Sequence, residues 1–129
     1  MKLVIFGSRT VSPSTADVQR AIINRLEYAR ISLVISGTAG GADLAGEAWA
    51  AAHGVPVQRM PANWREFGRV AGKMRNGEMA LVADAGLGFW DGMSNGTADM
   101  AARLLARGKR CVIVEYEPVK KQSAQGHLL

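Results

Sequence analysis

The sequence predicts a three-layer α/β fold in which a parallel sheet of five strands is covered by helices on both faces. Short apolar runs alternate with segments whose apolar residues recur at helical spacing, which is typical of parallel sheets with helical crossovers. Glycine-rich polar turns follow several of the apolar runs, where a strand would turn into a helix. Because such crossovers are right-handed, they favour a doubly wound sheet, for which we predict the strand order 3-2-1-4-5. Strands 1 and 4 then meet where the winding reverses, and ligands bind at that place in such sheets.

The N-terminal half contains the first two strands and the helix that follows each of them. Strand 1 covers Lys2 to Phe6, and a serine cap with proline in the first turn starts a helix at 12–14. Strand 2 covers 33–36, and the helix after it ends at His53-Gly54. Both helices are predicted from apolar residues at helical spacing, which are Val18, Ile22, Leu26 and Ala29 in the first and Ala45, Ala48, Trp49 and Ala52 in the second.

The C-terminal half contains three more strands, which cover 55–60, 85–90 and 111–114. A last helix is predicted over about 97–107, between strands 4 and 5.

The segment 68–81 is ambiguous, because Gly72 and Asn76-Gly77 are poor helix formers. We predict a loop that leads into a helix, with Lys73, Arg75 and Asn76 near its beginning or on one exposed turn.

The length and composition fit one domain over 1–117 with a flexible tail over 118–129, where periodicity is lost. The formal net charge of +5 suits polyanionic partners, although the charges are scattered. Cys111 is the only cysteine and, with the two dispersed histidines, predicts neither a disulfide nor a metal site. No signal peptide and no bilayer-spanning apolar run are visible, so we expect a cytoplasmic protein without a membrane partner.

Three polar, glycine-containing turns carry the functional prediction. They cover 7–9, 36–43 and 91–97, and each follows the carboxyl end of a predicted strand, so all three should lie along one edge of the sheet. At this edge, backbone N–H groups that have no acceptor within the helix can bind a phosphate at the helix N-terminus. Arginine side chains can pair with the phosphate oxygens. The alternative is that the turns need glycine only for their backbone angles. The predicted ligand-binding residues are Gly7, Ser8, Arg9, Ser36, Gly37, Thr38, Gly40, Gly41, Asp43, Arg75, Asn76, Asp91, Gly92, Ser94, Gly96 and Thr97.

The aspartates and tryptophans near this edge can each be interpreted in two ways. Asp43 and Asp99 either favour the helix dipole as helix-start residues or serve a ribose or a glycosidic bond. Trp64 and Trp90 either stack on a base or pack at the rim of the fold.

Five blocks in this order resemble the YspA type of YpsA-related SLOG domains. They are Gly7-Ser8-Arg9, S-G-T-A-G-G-A-D-L-A-G-E-A-W-A (36–50), P-A-N-W (61–64), A-G-K-M-R-N-G-E-M (71–79) and F-W-D-G-M-S-N-G-T-A-D-M (89–100). The resemblance implies a small Rossmann-like domain, frequent in phages and other mobile elements, that binds a nucleotide-derived ligand as a sensor or binding domain. The resemblance implies no required cofactor. It also makes a homodimer one hypothesis for the partner. The residues Met74, Met79 and Leu81 then either form part of the dimer surface or belong to the core.

Two related families imply alternative functions. Arg75 and Gly96-Thr97 are similar to parts of the lonely-guy motif, whose members hydrolyse the N-ribosidic bond of nucleotides. That resemblance makes Arg75 and Asp99 the catalytic candidates, yet Met100 stands at the position of the family's glutamate, so the sequence leaves open whether the chain is an enzyme. The turns also resemble the DNA-processing protein A family, which implies single-stranded DNA as a third ligand class.

Overall fold

The five apolar runs form one parallel sheet in the order β3-β2-β1-β4-β5, as predicted. The structure is a computed structural model that describes residues 1–26 and 30–119. The strands are β1 (Lys2–Gly7), β2 (Leu33–Ser36), β3 (Val57–Arg59), β4 (Ala85–Trp90) and β5 (Arg110–Glu115). The helices are α1 (Thr15–Arg25), α2 (Ala42–Ala52), α3 (Trp64–Phe67), α4 (Ala71–Val82) and α5 (Asn95–Ala106), with a 3₁₀ turn (Gly68–Val70) before α4.

The central strand β1 divides the core into two layers because its side chains alternate between the sheet faces. Leu3 and Ile5 pack in the layer that contains the apolar residues of α1 and α2. Val4 and Phe6 pack in the opposite layer, against the apolar residues of α4 and α5. This arrangement confirms the predicted α/β class with helices on both faces of the sheet.

Element boundaries differ from the predictions where capping overrides the apolar pattern. The third strand is shorter than 55–60, because the Val55 N–H donates to Ala50 O (2.9 Å) at the end of α2 rather than to a strand. The last helix begins at Asn95 because the Ser94 side chain accepts a hydrogen bond from the Thr97 N–H and caps it. In the first helix, Ala29 lies outside the described residues.

The ambiguous segment 68–81 is a 3₁₀ turn followed at once by α4. The prediction that Asn76 lies near the helix start or on an exposed turn is wrong, because Asn76 is in the middle of α4 and is only 6% exposed. Met79 belongs to the core, whereas Met74 and Leu81 are exposed. In the predicted tail 118–129, the Val119 N–H donates to Thr10 O (2.7 Å), and residues 120–129 lie outside the described residues.

Substitution of Gly46 tests how closely α2 packs on the sheet. A Cβ at this position would lie 2.7 Å from Cβ and Cγ2 of Ile5, in the central strand. We expect Gly46→Ala to lower the free energy of unfolding by about 1–3 kcal/mol, although alanine is the better helix former. Urea denaturation measures the change.

Gly77→Ala is the matched control. Its new Cβ would meet only Nη1 of Arg103, at 3.2 Å, the end of a flexible side chain. This variant should be neutral or more stable by up to about 1 kcal/mol. Equal effects of the two substitutions would contradict the packing that we describe.

Candidate functional site

A cavity of about 630 Å³ lies at the carboxyl ends of β1 and β4, within the range of roughly 300–1,000 Å³ that ligand pockets occupy. All three predicted turns contribute to its lining, and α3 and α4 close another side. The lining residues are Phe6, Gly7, Arg9, Thr10, Ala39, Asp43, Trp64, Arg69, Gly72, Lys73, Arg75, Asn76, Met79, Asp91, Met93, Ser94, Gly96, Thr97 and Met100.

The turn at the start of α5 is held open by side-chain hydrogen bonds. Asp91 Oδ1 accepts from the N–H groups of Met93 and Ser94, both at 2.9 Å, and its Oδ2 accepts from Thr10 Oγ1 at 2.6 Å. These bonds, that of Thr10 above all, lower the pKa of Asp91 to about 2. Gly96 is the second residue of α5, so its N–H has no acceptor within the helix, and it lies on the cavity.

Three hydroxyl groups meet beneath this turn. Thr97 Oγ1 donates to Ser94 Oγ (3.0 Å), and it lies 3.5 Å from Ser8 Oγ. Ser8 is 1% exposed and accepts from the Asp91 N–H at 3.1 Å, so it supports the turn from below. Ser94 and Thr97 line the cavity, whereas Ser8 lies behind it.

The turn after β2 (36–43) contributes less to the cavity than the sequence predicts, and two of its N–H groups are bonded within the turn. Thr38 N donates to Ser36 Oγ (3.1 Å), and Ala39 N donates to Asp43 Oδ2 (2.9 Å). Ser36 Oγ in turn donates to Glu47 Oε2 at 2.6 Å, which ties the turn to α2. Only Ala39 and Asp43 of this turn line the cavity.

Two glycines in this turn are explained by close packing. Gly41 has a φ of +57°, and a Cβ there would lie 2.4 Å from Ser8 O. A Cβ on Gly37 would lie 2.6 Å from Nη1 of Arg75, so glycine makes room for the guanidinium. Arg75 uses that room to donate from Nη1 to Gly37 O and from Nε to Asn76 Oδ1 (3.2 Å).

The charges on the cavity are four cationic side chains and two carboxylates. Arg9, Arg69, Lys73 and Arg75 supply the positive charge. Asp43 is 4% exposed, and this burial raises its pKa to about 6, while the Ala39 N–H and the charges of Arg75 and Arg9 act in the opposite direction. The cavity therefore favours anionic ligands.

Nine of the predicted ligand-binding residues line the cavity, namely Gly7, Arg9, Asp43, Arg75, Asn76, Asp91, Ser94, Gly96 and Thr97. Seven are not among the lining residues, namely Ser8, Ser36, Gly37, Thr38, Gly40, Gly41 and Gly92. Residues outside that prediction come mainly from α3, α4 and the 3₁₀ turn, including Arg69 and Lys73. The only sequence signal for these two was their charge, which does not distinguish a cavity from a solvent-facing surface.

A comparison with protein-family models shows which family the chain belongs to. The model of the YspA, cpYpsA-related SLOG family matches residues 1–67, more than half of the chain. The chain belongs to this family. The comparisons with curated proteins and with solved structures found no match.

Two residues of this SLOG domain bear on the catalytic prediction. Met100, at the position of the lonely-guy glutamate, is 1% exposed and forms an apolar part of the cavity wall. Asp99 is not a lining residue, and its Oδ2 accepts from Arg103 Nε (2.8 Å) and Asn76 Nδ2 (3.0 Å). Asp99 thus joins α4 to α5, and its catalytic role stays a prediction.

Two other features concern metals and membranes. Over 1–26 and 30–119, no group of three or more His, Cys, Asp or Glu residues is arranged to hold a metal ion. Within the same ranges, no helix has the length and hydropathy needed to span a membrane.

Asp43 gives the site a measurable pH dependence. Between pH 4 and 6 the folded chain holds a proton that the unfolded chain releases, because the pKa is raised from 3.8 to about 6. The stability that this bound proton contributes is therefore lost as the pH rises from 4 to 6. We expect Asp43→Asn to match the parent chain near pH 4 and to be more stable at pH 7 by about 2–3 kcal/mol, at 1.36 kcal/mol per pKa unit.

Urea denaturation of both proteins from pH 4 to 7 measures this difference. Asparagine keeps an oxygen that can accept from the Ala39 N–H, so the turn should survive the substitution. A difference that does not change with pH would contradict the raised pKa.

Proposed function

We propose that this SLOG domain binds a phosphate-bearing, nucleotide-derived ligand at the carboxyl edge of its sheet, as a sensor or binding domain. The observation that carries the proposal is the first turn of α5, which opens into a cavity lined by four cationic side chains. Membership of the SLOG family is consistent with a nucleotide-related role.

The phosphate position that we favour is the N-terminus of α5. This helix has 12 residues, so its first N–H groups lie at the positive end of a full helix dipole. Gly96 has no side chain to obstruct an approaching oxygen, and even a Cβ added to it would have no neighbouring atom within 4 Å. The hydroxyl groups of Ser94 and Thr97 stand beside it and add hydrogen-bonding atoms.

Arg9 and Arg75 have different parts in this proposal. Arg75 is half-buried and donates to Gly37 O and Asn76 Oδ1, so it supplies charge from a fixed position. Arg9 is exposed on the cavity and can reach the ligand without breaking a contact that supports the fold. Arg9 is therefore the better residue for a binding test.

Ligand binding should raise the melting temperature of the purified protein. We expect stabilisation by at least one of AMP, ADP-ribose, NAD and cyclic dinucleotides, about 2.7 kcal/mol at a hundred times the dissociation constant. Arg9→Ala should weaken binding by roughly 10- to 150-fold, because a hydrogen bond to a charged group contributes about 1.5–3 kcal/mol. Thermal shift followed by calorimetric titration measures both effects.

Arg107→Ala is the matched control, because it removes the same charge at the other end of α5. It should leave the affinity unchanged. Failure of the whole panel to bind, or equal losses in the two variants, would contradict the proposed site. A steep loss of affinity with salt, seen only for an oligonucleotide, would favour single-stranded nucleic acid instead.

Hydrolysis of an N-glycosidic bond in such a ligand is the second candidate, and the observation that favours it is the raised pKa of Asp43. A carboxyl group with a pKa of about 6 is suited to general-acid catalysis, since a fraction remains protonated near neutral pH. As the N-glycosidic bond breaks, Asp43 would give its proton to the departing base. Water would then add its hydroxyl group to the sugar and return its other proton to Asp43. Asp91, ionised on the same cavity, would stabilise the positive charge that develops on the sugar.

The two candidates differ in what happens to the nucleotide over time. If the domain is a hydrolase, chromatography should detect free base from AMP or NAD. Its release should be lost in Asp43→Asn and retained in Glu78→Gln, because Asp43 lines the cavity and the exposed Glu78 does not. Intact nucleotide after long incubation at high protein concentration would reject hydrolysis and leave the binding function in place.

A further inference from the structure

Trp64 stands out among the three tryptophans because its ring is open to the cavity. Trp49 is 4% exposed, donates from Nε1 to Gln19 Oε1 (2.9 Å) and stacks on His53. Trp90 donates from Nε1 to Ser94 O (3.0 Å) and is not a lining residue. Trp64 lines the cavity and is 51% exposed, and within the described residues its indole makes no hydrogen bond or ring contact.

We propose that Trp64 stacks on the heteroaromatic base of the ligand, so that the site selects a complete nucleotide over its sugar phosphate. This inference rests on the proposed function, since it assumes that the phosphate occupies the start of α5. It adds the recognition of the base, for which Trp64 provides a π face that accepts any heteroaromatic ring.

One edge of the indole lies close to α4. A Cβ built on Gly72 would lie 3.2 Å from Cη2 of Trp64 and 3.7 Å from Cζ2, so the ring edge rests against the backbone of α4. Glycine within a helix costs about 1 kcal/mol relative to alanine, and here it makes room for the ring. Asn63 caps α3 by accepting from the Glu66 N–H (3.0 Å), which holds the first residue of that helix in place.

The helix α4 also sets the separation between the aromatic and phosphate ends. Gly72 touches Trp64, and Asn76, one turn further along, donates from Nδ2 to Gly96 O at 3.3 Å. Four residues of α-helix advance about 6 Å, so the two ends lie a short way apart along α4. A ribose can bridge such a separation, with its 5′-phosphate towards Gly96 and its base towards Trp64.

A protein partner is the competing explanation for an exposed tryptophan. Phe67, Val70 and Met74 are also exposed, at 40%, 53% and 41%, and they follow Trp64 along the chain. These three side chains are not part of the cavity lining, whereas Trp64 is. A protein interface would not require Trp64 to line the cavity, so its position favours a role in ligand binding. The experiment described below also detects a protein contact.

AMP and ribose 5-phosphate form the discriminating pair of probes, because they share the sugar phosphate and differ in the base. Calorimetric titration should show that the parent chain prefers AMP by roughly 5- to 150-fold, the range for one stacked base. Trp64→Phe should retain most of this preference, and Trp64→Leu should bring AMP close to ribose 5-phosphate. The affinity for ribose 5-phosphate should be the same in all three proteins.

Fluorescence gives a second measurement on the same proteins. AMP should quench tryptophan emission and ribose 5-phosphate should not. The quenching should persist in Trp49→Phe, which removes a tryptophan outside the cavity lining, and should disappear in Trp64→Phe.

Equal binding of both probes by the parent chain, or a preference that survives in Trp64→Leu, would overturn the stacking inference and leave the phosphate site standing. Binding of neither probe would overturn the proposed function and this inference together. If Trp64→Leu altered only the sedimentation of the protein, and not its preference for AMP, then Trp64 would belong to a protein contact and the inference would be wrong.

Discussion

The pairing of β1 with β4 at the centre of the sheet is the constraint on which the site depends. Because β1 pairs with β2 on its other side, the chain leaves this point in opposite directions, and the turns after β1 and β4 separate. Gly7 pairs with Phe89, and a Cβ on Gly7 would lie 2.1 Å from Phe89 O, so the two strands end in close contact at one level. The cavity occupies the space that these diverging turns leave.

The two glycine turns on this edge have different physical roles. The turn after β2 uses the N–H groups of Thr38 and Ala39 internally, and it buries Asp43 while making room for Arg75. The turn after β4 has its carboxylate, Asp91, bound to N–H groups at its own start, which leaves the N–H of Gly96 at the cavity. The turn after β2 therefore positions charged side chains, and the turn after β4 places an unbonded N–H group of a helix N-terminus at the cavity.

The helix α4 connects the parts of the site that come from distant segments. Its residue Asn76 donates to Gly96 O and Asp99, and Gly72 lies beside the ring edge of Trp64. A shift of α4 along its axis would therefore move the Trp64 side of the cavity relative to the start of α5. Buried polar contacts of this kind are costly to leave unpaired, so they hold the helices in one register.

The strand order and the convergence of the three turns could be predicted from the amino-acid pattern alone, because alternating strands and helices with right-handed crossovers leave few arrangements. The sequence also predicted Asp43 and Gly96 as site residues from their turns after strand ends, and Arg75 from its charge and the family resemblance. Their ligand-binding roles stay predictions. Tertiary structure decided which groups face the cavity. The N–H groups of Thr38 and Ala39 bind Ser36 and Asp43 instead of pointing to a ligand, and Trp64 remains exposed on the cavity. The sequence pattern does not encode these outcomes, because hydrogen-bond partners and burial depend on how the folded segments pack.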